Sequence, residues 1–82
     1  MHIPHELQDE FPNSVSVIER LAKANEAFRL IAAAYDDVNR QLWRIESERK
    51  PASDETVEKL KKRRLLLKDD IAVFLAREQR QS

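Results

Sequence analysis

No cysteine occurs among the 82 residues, so neither a disulfide nor a thiolate-bound zinc ion holds this chain together. Glycine is also absent and only three prolines are present. A β-rich fold needs the tight turns those residues supply, so a sheet-based architecture is not expected. One-signed charge is missing too: fifteen Lys plus Arg balance fifteen Asp plus Glu, leaving no overall field to draw the chain to nucleic acid or anionic lipid. No apolar run approaches the roughly 20 residues that span a bilayer. The first ten residues carry two histidines and no apolar core, unlike a secretory signal. The expectation is a cytoplasmic protein with no membrane partner.

What remains is dominated by Ala, Leu, Glu, Lys, Arg and Gln, which favour long helices. The length allows one domain, and a domain of this size buries only about 60% of the surface its unfolded chain exposes. With disulfides and thiolate metal sites excluded, association is the remaining route to stability. No cofactor is expected.

Ile3, Leu7 and Phe11 recur at a spacing of four, behind Pro4 and ahead of Pro12. Residues 1–12 therefore read as either a short helix or a flexible N-terminal arm. Residues 13–82 read as a helical unit. Its first helix, about 14–48, carries Val17, Leu21, Ala24, Phe28, Ile31, Tyr35, Val38, Leu42 and Ile45 at alternating spacings of four and three, the pattern of a coiled-coil seam. Asn13 or Ser14, or a capping box from Ser16 to Glu19, would start it. Pro51 ends it, and Ser53 followed by Asp54 and Glu55 starts a second helix of about 54–79. A turn over 49–53 is too short for any arrangement but an antiparallel one.

The second stripe holds Val57, Leu60, Leu67, Ile71 and Phe74, interrupted by Arg64. Folding back at the turn pairs Ile45 with Val57, Leu42 with Leu60, Val38 with Arg64, Tyr35 with Leu67, Ile31 with Ile71 and Phe28 with Phe74. The expected fold is thus all-α, an antiparallel two-helix, coiled-coil-like hairpin that associates into a helical bundle. Leu21 and the residues before it extend past the second helix and need cover, from the Ile3, Leu7, Phe11 segment or from another chain. The second helix is also apolar on its far side, where Leu65, Leu66 and Val73 point away from Leu60 and Leu67. These three, with Trp43 on the flank of the first helix, are the candidate interface for a homo-oligomer, a dimer or tetramer, or for an unidentified protein partner; Trp43 reads equally as a cover for Pro51 or Lys50 within the same chain.

Asn25, Phe28, Ile31, Tyr35, Val38 and Leu42, followed by Leu60, Lys61, Lys62, Arg64, Leu65, Leu67, Lys68, Asp69, Asp70 and Ile71, resemble the YdcH-like family of small bacterial proteins. The likeness covers nearly the whole chain, including the His5, Leu7, Phe11, Pro12 opening. It implies a bacterial cytosolic helical hairpin of unknown function. The chain departs from that family at Leu66 and Asn39, where polar and acidic residues respectively are expected.

Candidate chemistry is sparse. His2 and His5 beside Glu6 lie one turn apart, but a metal site needs further ligands on rigid elements. No nucleophile stands beside a histidine along a regular element, so an enzyme is not expected. Lys59, Lys61, Lys62, Arg63 and Arg64 place five cations within six residues and form the candidate nucleic-acid contact. At 100° per residue they spread around the helix, with Glu55 and Glu58 four residues ahead of Lys59 and Lys62 and no aromatic among them to stack on bases. A solvated helix face is the plainer reading. Arg64 within the stripe also suits a polar device that fixes register.

Overall fold

An asparagine inside an apolar repeat can leave the phase of the repeat intact while breaking the backbone beneath it, and Asn25 does so here. In the computed structural model, which describes residues 3–81, Asn25 is extended (φ −130°, ψ 109°). Its Oδ1 accepts the backbone N–H of Phe28 at 3.0 Å, satisfying a donor that would otherwise be orphaned at a helix start. The single helix expected over about 14–48 is therefore two. The elements are α1 (Leu7–Glu10), a 3-10 turn (Pro12–Ser14), α2 (Val15–Ala24), α3 (Glu26–Ser47) and α4 (Asp54–Gln81). The fold is all-α, with no strand among the described residues and four α-helices where periodicity predicts two. The expected capping box from Ser16 to Glu19 does not start α2; Ser14 stands at its N-cap without a side-chain bond.

Residues 48–53 link α3 to α4. Arg49 takes φ 52° there, in the left-handed region that glycine fills most readily. A chain without glycine must place a side chain at that bend. Past Pro51, Ser53 Oγ accepts the backbone N–H of Thr56 at 3.1 Å and caps α4.

Phe28, Tyr35 and Ile71 are fully buried and, with Leu21 and Leu75, form the core cluster. Val38 and Leu42 continue the buried row toward the link. Arg20 meets Glu78, Phe28 meets Phe74 and Asn39 meets Arg64, so α3 and α4 run in opposite directions. Phe28 and Phe74, one of the six expected pairs, stand edge to face with centroids 5.5 Å apart and planes at 78°, a favourable aromatic geometry. Leu75 was absent from the expected stripe. It lies 100° around from Phe74, and α2 packs against that part of α4, so both residues find cover.

The N-terminal segment supplies the cover that Leu21 needs within the same chain. Leu7 and Phe11 pack on the core cluster. The Tyr35 hydroxyl donates to the His5 carbonyl, and Asn39 Nδ2 donates to the Pro4 carbonyl at 3.0 Å. Holding those carbonyls in place requires a bend, which His5 makes at φ 64°. No helix among the described residues is long and apolar enough to cross a membrane.

Candidate interaction surface

At 1.5 Å per residue the 28 residues of α4 run about 42 Å, close to the 45 Å long axis of the molecule. A helix that long, with Ile71 and Leu75 buried on one face, leaves its other faces to solvent or to a partner. Leu66 is 65% exposed and Val73 49% exposed, and seven residues at 100° each bring them back to the same side. Leu30 of α3, 56% exposed, is a further large apolar residue in solvent, lying between the seam positions Phe28 and Ile31 in sequence.

Leu65 belongs elsewhere. At 58% exposure it is as open as Leu66, but it borders a cavity of about 200 Å³ shared with His5, Glu10, Tyr35, Lys61, Arg64 and Lys68. The three residues grouped as one outer interface thus divide between two sides of α4: Leu65 beside the N-terminal segment, Leu66 and Val73 away from it. Trp43 is half-buried near the end of α3, with Ser47 Oγ donating to its carbonyl. Of the expected hairpin core, Leu21, Phe28, Tyr35, Val38, Leu42 and Ile71 are buried; Ile31, Ile45, Val57, Leu60, Leu67 and Phe74 are half-buried.

The cavity beside Leu65 is polar and internally paired. Glu10 accepts from His5 Nδ1 at 3.0 Å and from Lys68 Nζ at 3.4 Å. Partial burial pushes the Glu10 carboxyl up, but the His5 hydrogen bond and the Lys68 charge outweigh it and hold the group below the usual carboxylate range. Burial, and secondarily the Glu10 charge, pushes the Tyr35 hydroxyl up to about 12. Asn39 is buried, giving its N–H to Pro4 and taking one from Arg64 Nη1 at 3.0 Å through its Oδ1.

These bonds take up part of the basic run. Arg64 is half-buried and committed to Asn39, and Lys59 pairs with Glu55 at 3.3 Å. Lys61, Lys62 and Arg63 are exposed, Lys61 at the cavity and the others turned from it. His2 lies outside the described residues, and His5 faces Glu10. No group of three or more His, Cys, Asp or Glu able to hold a metal ion exists among the described residues.

Compared with known families, residues 28–75 match one described as a protein of unknown function (DUF465). No curated protein and no solved structure matches the chain.

Proposed function

The chain belongs to the DUF465 family of small, uncharacterised, YdcH-like bacterial proteins, and from that premise we propose that it is a non-catalytic interaction module that associates with other copies of itself. The family match runs from within α3, across the link, and most of the way along α4. The working unit in this reading is that antiparallel helix pair, a hairpin packed in coiled-coil fashion, with α1 and α2 capping one end.

One observation carries the reading: in the isolated chain Leu66 and Val73, on one side of the same long helix, stand about half or more exposed. Large apolar side chains gathered on rigid elements in this way mark sites of association. Sedimentation equilibrium at micromolar concentration tests it. A mass of two or four chains is expected; a single-chain mass at every concentration, with full helicity retained, would sink the proposal.

A further inference from the structure

We infer that the occupant of the outer face of α4 is α4 of a second copy, laid antiparallel across it about a two-fold axis at Leu66. This rests on the self-association reading and adds the partner surface and its orientation.

The charges of α4 carry the inference. Several opposite charges three or four apart close on each other, as Glu26 does on Arg29, Asp36 on Arg40 and Glu55 on Lys59, whereas Glu58 and Lys62, four apart on α4, do not. Lys62, Arg63, Asp69 and Asp70 are exposed, and among the described residues none of them has an ion-pair or side-chain hydrogen-bond partner. The two cations lie about 10 Å along the axis from the two anions, too far to pair on one helix. A second α4 reversed over Leu66 brings positions equally far from that residue to the same height along the axis. Arg63, about 60° to one side of the Leu66 direction, then lies beside Asp70 of the second copy on that flank, Lys62 lies beside the second copy's Asp69 on the other flank, and Glu55 lies near Arg77 close to the centre line, each pair formed twice by symmetry. Glu55, Arg77 and Val73 point within about 20° of the Leu66 direction, and Lys62 and Asp70 within about 40°, so they share the face.

Other pairings of the same face fail. A parallel copy sets Lys62 against Lys62 and Asp69 against Asp69. An antiparallel copy centred midway between Leu66 and Val73 sets Asp69 against Asp70 and Lys62 against Arg77. Of these three arrangements, the axis at Leu66 is the one that brings unlike charges together along the stripe.

The test uses two charge variants of the full chain, K62E/R63E and D69K/D70K, and two single-cysteine variants, L66C and D54C. Sedimentation should show a wild-type dimer and, for each charge variant alone, association weakened by about tenfold or more. An equimolar mixture of the two should pair again, because each then supplies the charges the other lacks; unfolded chains cannot imitate that rescue. With no native cysteine to interfere, L66C should oxidise to a crosslinked dimer, since its thiols meet on the axis, and D54C should not. A monomeric wild type overturns both the inference and the self-association beneath it. An oligomeric wild type that neither charge variant weakens, with L66C failing to crosslink, overturns the antiparallel pairing alone.

Discussion

Asn39 stands where likeness to the family leads one to expect an acid, and its surroundings explain the difference. It donates to the Pro4 carbonyl and accepts from Arg64. A carboxylate can do the second but has no proton for the first. Tyr35 has the same dual character. Its ring was legible from the sequence as a core position, but the partner of its hydroxyl is a main-chain oxygen thirty residues away, which no side-chain pattern announces. The hydroxyl, raised to about 12 by burial, titrates near 10 in the unfolded chain. A folded pKa above the unfolded one means the stabilisation is complete below pH 10 and is lost as pH rises from there through 12. Denaturant titrations across that range should show wild-type stability falling and the Tyr35→Phe variant lacking this component. At neutral pH the variant should be weaker by about 1 kcal/mol, the value of the lost hydrogen bond. An alkaline profile unchanged by the substitution would count against the contact.

Among the elements, the close of α3 and the start of α4 were readable, because Pro51, Ser53 and the acidic pair after it are strong punctuation. The break between α2 and α3 was not. Leu21, Ala24 and Phe28 keep their spacing straight through it, so a reading built on apolar period sees one helix. The local chemistry was nevertheless present, an asparagine followed by Glu26 in the first turn, which is how helix starts are marked. Asn25→Ala removes the side-chain acceptor from Phe28 N and should destabilise the fold by about 1 kcal/mol, read as a lower urea midpoint with unchanged slope. A neutral or stabilising outcome would mean that the two helices fuse without loss and that the cap is dispensable. Arg49 shows the reverse situation: the site asks for glycine, the sequence holds none, and the positive φ was invisible until the backbone was seen.

For the molecule as a whole, the all-α class and the exposure of large apolar residues on the second helix followed from composition and period. Which side each residue faces did not, since Leu65 borders the N-terminal segment while Leu66, its neighbour in sequence, points 100° further around the helix and away from it. That segment covers one flank of α4 and leaves the Leu66 flank open. If copies associate there, folding and assembly are linked, and the melting temperature depends on concentration. Thermal scans at rising protein concentration should move the wild-type midpoint upward and leave the K62E/R63E midpoint nearly fixed. Coincident wild-type curves at all concentrations would speak against assembly.

The bonds that Tyr35 and Asn39 make to Pro4 and His5 both end on carbonyl oxygens of the main chain. The clasp therefore recognises the path of the polypeptide and is indifferent to the letters written on it, except through the torsion angles those letters permit. For these two bonds specificity resides in the receiving helix, and the strap's own wording counts instead at Leu7 and Phe11, which meet the core, and at Glu10, which meets Lys68.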